Sequence, residues 1–321
     1  VTPAPPGSRS GNRATAERWA AILADLGYAP SVVEELRAQP CDLLIALHAR
    51  RSAPSVERYR AARPGAPLII ACTGTDLYRD LPAGDAAAER SIHSANRLVV
   101  LHPLALEALP DALRPRTRVI VQSVRLPPDL TADPVRPRPG HRRFRIVIAA
   151  HLREIKDPLR AAHAARLLPA DSAIEIVHLG RALDPALGEE AERLAAGSSR
   201  YQWIGEVAPR DALEMMAVSH ALVITSLAEG APNVLSEALA LRLPVIASDI
   251  PGCTGILGPD HPALFPAGDT RALARLLHRV ETDAVLYQKL RERSESLSAL
   301  VRPEREKAAW RRLLAELGFT S

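Results

Sequence analysis

Glu229 and Glu237, with seven residues between them, stand in the segment SLAEGAPNVLSEALALRLPVIASDIPG, residues 226–252. Two carboxylates beside a Gly-Ala-Pro-Asn turn and a short helical pattern are a set of groups able to hold a polar, anionic ligand. Gly230 lets a backbone approach a ligand closely, and Pro232 suits a helix start, where a missing N–H costs nothing. The backbone of Ala231, Asn233 and Val234 then offers unpaired N–H groups at a helix N-terminus, an arrangement that attracts anions. The eight-residue step from Glu229 to Glu237 is about two helical turns, so Glu237 is expected on the face that meets a ligand held at that N-terminus. A carboxylate so placed accepts hydrogen bonds from paired hydroxyls such as those of a ribose. The plain alternative is two solvated glutamates near a helix start.

Further candidates lie in the first half of the chain. Gly7-Ser8-Arg9-Ser10-Gly11-Asn12 opens a helical pattern and lacks the G-x-G-x-x-G spacing of a dinucleotide fold. Its Arg9, Gly11 and Asn12 suit a phosphate or an acceptor group, or else a tight turn capped by Asn12. Thr73-Gly74-Thr75-Asp76 follows a strand end, where α/β sites gather. Thr75 and Asp76 either hold sugar hydroxyls or cap their own loop. His48, followed by Ala49-Arg50-Arg51, also ends a strand and is either a site residue or structural. His93 and His102 read as structural.

The elements that must position these groups are short apolar runs alternating with helices, the mark of parallel α/β layers. Strands are predicted at 41–47, 67–72, 97–101 and 118–122, then at 144–150, 173–179, 201–204, 221–225 and 243–248. Helices are predicted between them, the clearest over 12–26, where Ala16, Trp19, Ala20 and Leu23 recur at helical spacing. No apolar strand precedes the Gly7 loop, and Val1-Thr2 looks like the end of one, so the chain is expected to begin a few residues into the native protein. Residues 127–143 hold five prolines without periodicity and read as a linker. The expected organisation is an acceptor domain over 1–126, the linker, and a donor domain over 144–302, both Rossmann-like and doubly wound, facing an interdomain cleft. Residues 303–321, an amphipathic helix, are placed with the first domain, the alternative being a cap on the second.

The chain has 321 residues, suiting two domains, and 47% hydrophobic but only 3% aromatic residues, so aliphatic side chains and alanine must fill the cores. Of 41 basic residues only Lys156, Lys289 and Lys307 are lysines. The arginine excess reads as coding bias, which gives a lysine inside a motif added weight. Residues 1–145 carry 21 basic against 14 acidic residues, a net +7, and the remainder 20 against 23, a net −3. The first half is therefore suited to an anion, but no basic block or aromatic interleaving points to nucleic acid. No apolar run approaches the ~20 residues of a membrane span. The start, VTPAPPGSRSG, does not read as a signal peptide, and Cys41, Cys72 and Cys253 read as small buried residues of a reducing compartment. A cytoplasmic location is expected.

The 226–252 segment resembles the donor-binding signature of the large retaining glycosyltransferase family of GT-B type, the group 4 enzymes. The resemblance implies that Glu229 faces the donor sugar, that Gly230, Ala231, Pro232, Asn233 and Val234 contact sugar and diphosphate, and that Glu237 binds ribose. The family's basic pair after the first strand of the second domain corresponds to the segment AAHLREIKDP at 149–158. Lys156 takes the lysine position and His151 the usual arginine position, with Arg153 two residues on. Arg153 and Lys156 are expected to neutralise the donor diphosphate, without a metal ion or a cofactor. A solvated cap before a helix over 157–168 is the plain alternative.

TPAPPGSRSGNRATAERWA, LHARRSA, TGTDLYRDLP, QSV at 122–124 and HLREIKDP together resemble a narrower family, the selenosugar synthases of selenoneine biosynthesis. Gln122-Ser123-Val124-Arg125 stands where the broad family carries Pro-Asn-Gly-Val-Asp. This resemblance implies transfer of a sugar from UDP-N-acetylglucosamine or UDP-glucose to selenium supplied as selenophosphate, beside other enzymes of that pathway. Selenophosphate suits the +7 half, including Arg9, Arg13, Arg50 and Arg51. A group 4 enzyme with a sugar or lipid hydroxyl as acceptor is the alternative, and a non-catalytic nucleotide-sugar binder is a further one.

Overall fold

A computed structural model describes residues 1–8, 10–37, 40–130 and 143–320. The linker predicted at 127–143 therefore lies mostly outside the described residues, as does Arg9. The chain forms two compact units. The first comprises Val1–Ser123, Glu229–Asn233 and Pro303–Ser321, and the second Val124–Ala228 and Val234–Arg302.

In the first unit four parallel strands, β1 (Leu44–Leu47), β2 (Leu68–Ala71), β3 (Arg97–Val100) and β4 (Thr117–Val119), lie in the order β1-β2-β3-β4. Leu68, Ile69, Ile70 and Ala71 are all buried, as are Leu98, Val99 and Val100. A strand covered on both faces needs an unbroken apolar run, which is why these segments do not alternate. Beside β1, Leu47 N–H donates to Val1 C=O and Thr2 N–H to Val33 C=O, both at 3.0 Å. Helix α1 (Gly11–Asp25) begins on Ser10, whose hydroxyl accepts the N–H of Arg13, so Asn12 lies inside the first turn and is not its cap. Helices α2 (Ala53–Ala62) and α3 (Ala86–Ser94) bury Val56, Tyr59, Ala88 and Ile92 in the core of this sheet.

The second unit has a six-stranded parallel sheet. Its strands are β5 (Phe144–Ala149), β6 (Ile174–Leu179), β7 (Tyr201–Gly205), β8 (Ala221–Ile224), β9 (Val245–Ser248) and β10 (Leu264–Phe265), in the order β10-β9-β8-β5-β6-β7. That is the doubly wound order, with β5 and β8 flanking the point where the winding reverses. Helices α4 (Arg160–Ala165), α5 (Pro185–Ala196), α6 (Pro209–Ala217), α7 (Asn233–Ala240) and α8 (Pro251–Leu257) connect the strands. Helices α9 (Thr270–Thr282) and α10 (Ala284–Leu297) follow. The predicted 157–168 helix shrinks to α4 because Asp157 turns left-handed at φ 43° ahead of Pro158 and Leu159. Ala161, Ala162, Ala164 and Ala165 are all buried, so alanine serves as the close-packing residue in this aromatic-poor core.

Helix α11 (Pro303–Ala315) belongs to the first unit. It buries Glu306, Trp310, Leu313 and Leu314, a helical stripe, and Trp310 meets Trp19 of α1 edge to face at 4.8 Å. Beyond its end, Glu316 pairs with Arg118 at 2.8 Å and Arg97 at 2.9 Å, which lowers its carboxyl below the usual range. Cys72 and Cys253 are buried, whereas Cys41 is only half-buried. No helix among the described residues is long and apolar enough to cross a membrane.

Each unit buries a neutral histidine. His178 accepts from Tyr201 OH at Nδ1 (2.9 Å), which leaves Nε2–H for the carbonyl of Ala150 at 3.0 Å. His102 meets Tyr78 OH at 2.9 Å. Burial pushes both down to about 4. An unfolded chain takes up these protons near pH 6.5, so the stabilisation is complete above pH 6.5 and falls away as pH drops toward 4. The loss is on the order of 3 kcal/mol per histidine. Urea unfolding midpoints at pH 7 and pH 4.5 are expected to differ accordingly, and His178→Gln should flatten the dependence in the second unit. Equal midpoints at the two pH values refute this.

Candidate active site

In the second unit the groups predicted to meet a diphosphate sit on the loop that follows β5, at the reversal point of the sheet. Leu152 bridges to Ala182, Arg153 is exposed, and Glu154–Lys156 form one 3-10 turn. Thr225, just past β8, shares its hydroxyl proton between the carbonyls of Lys156 (3.0 Å) and Asp157 (2.9 Å). Leu227 N–H donates to Ile155 C=O at 2.9 Å, and Ser248 Oγ donates to Ser226 C=O at 2.6 Å. The basic loop is thus fastened by its main chain to the segment after β8, which Ser248 of β9 holds in turn. His151, in the position expected for arginine, uses Nδ1 to accept the N–H of Arg181 at 3.0 Å and so helps order the loop. Gly180, at φ 146°, permits a close approach here: a Cβ on it would stand 2.0 Å from Ala150 O. Thr225, Gly180 and His178 carry no motif, and the sequence reading missed them. Only their strand-end positions pointed to them.

Helix α7 begins at Asn233, so residues 229–232 form an extended turn and Glu237 stands one helical turn in, on the half-buried side. The helix start expected at Pro232 falls one residue later, so Gly230, Ala231 and Pro232 lie before the helix. Val234 begins the part of this segment that belongs to the second unit.

The stretch Glu229–Asn233 packs within the first unit. Gly230 lies so close to the Thr73-Gly74 main chain that a Cβ on it would be 2.2 Å from Thr73 O, and one on Gly74, at φ 137°, would be 2.5 Å from Gly230 N. Ala231 and Pro232 are buried. Asn233 accepts from Arg18 Nη1 at 3.2 Å and donates Nδ2 to Gly11 C=O at 3.3 Å. A Cβ on Gly11 would press on that same Nδ2 at 3.2 Å.

His48 ends β1 in the left-handed region at φ 71°, a conformation uncommon for a residue with a side chain. Its Nδ1 accepts from Arg51 N–H at 3.4 Å, so Nε2 carries the proton and faces Thr75 Oγ1 at 2.9 Å. Asp80 lies 3.9 Å from Nε2 and accepts from Arg50 at 2.9 Å. Burial outweighs the neighbouring Asp76 and Asp80 and lowers the His48 pKa, keeping the ring neutral. Asp76 is buried, and its carboxylate accepts the backbone N–H groups of Ala49, Thr73, Gly74 and Leu77 at 2.8–3.0 Å. Its carboxylate caps the loop, in place of the sugar-hydroxyl role also open to it. Among the described residues, no group of three or more His, Cys, Asp and Glu side chains is arranged to hold a metal ion.

Residues 143–283 match the family described as glycosyl transferases group 1. The matched stretch lies in the second unit apart from Glu229–Asn233. A curated relative from Xenopus tropicalis, glycosyltransferase 1 domain-containing protein 1, is 28% identical over 157 residues, 49% of this chain and 45% of that protein. The putative teichuronic acid biosynthesis glycosyltransferase TuaC of Bacillus subtilis is 32% identical over 81 residues, 25% of this chain and 21% of that protein. The matched regions thus span less than half of either relative. Among solved structures, HepE of Anabaena, crystallised with UDP and glucose, superposes with a TM-score of 0.67 at 16% identity, covering 93% of this chain and 81% of HepE. The sucrose-phosphate synthase of Thermosynechococcus elongatus gives 0.69 at 18% identity, over 94% of this chain and 77% of that enzyme. The fold is GT-B, two α/β units with parallel sheets. In the second unit, the Lys156 loop and the Thr225 strand end occupy the place where doubly wound sheets bind ligands.

Proposed function

We propose that the chain is a glycosyltransferase that moves the sugar of UDP-N-acetylglucosamine or UDP-glucose onto selenium delivered as selenophosphate. The donor half rests on one observation above others: the reversal point of the sheet, within the stretch that matches the group 1 family, presents Arg153 and Lys156 on a loop ordered by Thr225. HepE, a structural neighbour, has been crystallised with UDP-glucose, which supports the choice of donor. In this reading Arg153 and Lys156 meet the diphosphate and Glu237 the ribose. The backbone of 230–234 lines the phosphates, and Glu229 faces the sugar.

The acceptor half rests on the sequence-wide resemblance and on the +7 charge of residues 1–145. The acceptor is assigned to Arg9, Gly11, Asn12, His48 and Thr75, with Asp76 shaping their loop. A selenium lone pair forms the C1–Se bond as the C1–O bond to UDP breaks, and UDP leaves with the electron pair. Water then cleaves the Se–P bond, giving selenosugar and phosphate. Ionised selenium is nucleophilic near neutral pH, so no strong general base is required. Cationic side chains preset around the diphosphate favour departure of UDP.

Incubating the chain with either UDP-sugar and selenophosphate, followed by mass detection, tests the assignment. A selenosugar with matching UDP release is expected. UDP release with sugar or lipid hydroxyls but none with selenophosphate transfers the assignment to a hydroxyl acceptor.

A further inference from the structure

The donor chemistry leaves Gln122 and Ser123 without a task. In the first unit both are buried. Gln122 Nε2 donates to Thr15 Oγ1 of α1 at 3.0 Å. Ser123 donates its N–H at 2.8 Å and its hydroxyl at 2.5 Å to Glu306 of α11, a carboxylate that is itself buried. The same carboxylate accepts from Trp19 Nε1 at 2.7 Å and Arg18 Nε at 3.1 Å. A buried carboxylate is tolerated only when paired and fully hydrogen-bonded, and Glu306 meets both conditions. Its position in the core-facing stripe of α11 is explained by these donors.

The cluster fixes the guanidinium of Arg18, and Arg18 reaches onward. Nη1 donates to Asn233 Oδ1 at 3.2 Å, while the Asn233 amide nitrogen holds Gly11 C=O at 3.3 Å. Nη2 is buried with no hydrogen-bond partner among the described residues. An arginine kept in spite of an unsatisfied nitrogen calls for a reason beyond pairing with Glu306, since a lysine has fewer donors to strand. The planar fork supplies one, because it holds Glu306 and Asn233 at once in a fixed geometry.

We infer that Arg18 is a positioning residue for the donor turn: anchored by Glu306, it orients Asn233 and with it the 230–233 backbone that receives the nucleotide diphosphate. The inference rests on the donor assignment above. It gives Gln122-Ser123 a role in support of that turn, through α1 and α11, with no contact to the acceptor.

The test is UDP titration by calorimetry on the full chain for wild type, Arg18→Lys, Asn233→Ala and the double variant. Arg18→Lys keeps a cation beside Glu306, so thermal unfolding should stay cooperative and within a few degrees of wild type. Each single variant is expected to weaken UDP binding about tenfold, and the double variant no more than the worse single one, as coupled residues do. Multiplied losses in the double variant, or wild-type affinity in Arg18→Lys, overturn the inference and leave the donor assignment standing. Failure of the wild type to bind UDP removes the donor assignment and the inference with it.

Discussion

Lys156→Ala is expected to lower the rate of UDP release from a UDP-sugar by about 10²–10³-fold, the usual effect of removing one group that meets developing charge in a transition state. The thermal midpoint should hardly move. Lys156 is tied into the fold through its main chain, by the hydroxyl of Thr225 on its carbonyl, and alanine keeps that bond. Its side chain belongs to a half-exposed residue at the end of a 3-10 turn. A variant that releases UDP at more than a third of the wild-type rate removes Lys156 from the chemistry. Lys156→Arg should recover part of the rate, since it restores charge without the compact ammonium.

Gly230→Ala should disable the chain by geometry alone. The new Cβ would lie 2.2 Å from Thr73 O and 2.4 Å from Thr73 C, both main-chain atoms, so no rotamer change relieves the overlap. Either the turn or the Thr73-Gly74 loop must move. Overpacking of this kind costs about 1–3 kcal/mol of stability. A shift of about 1 Å in the 230–233 backbone would also separate its N–H groups from a diphosphate, with a loss of about 10²-fold in activity. Urea unfolding and initial rates measure the two effects, and wild-type values for both would show that the close approach has no consequence.

The strands were legible from composition because a parallel sheet covered on both faces demands continuous Val, Ile, Leu and Ala. Each predicted strand is present, most of them shorter, while the two-residue β10 escaped notice because Leu264-Phe265 is too brief to show a period. The donor segment was legible because Gly, Pro and Asn punctuate it. Its helix start was legible to within a residue, since Pro232 suits the beginning of a helix and the helix begins at Asn233. The 157–168 helix failed for a local reason, the left-handed Asp157.

Asp76 shows the boundary more sharply. By sequence a strand-end aspartate is open to either a ligand or its own loop. Only the folded chain brings the N–H of Ala49, 27 residues away, to its second oxygen. Glu306 is the extreme case, a charged residue in an amphipathic helix that any pattern assigns to water. Its acceptor sites are filled by Trp19, Arg18 and Ser123, and the Trp19 donor is 287 residues away in the chain. Local pattern fixed which segments form strands and helices, the likeness of the donor segment to a known signature, and the surplus of positive charge in the first half. Whether a given carboxylate serves a ligand or the fold depends on which distant donors arrive beside it, and that was decided by tertiary structure alone.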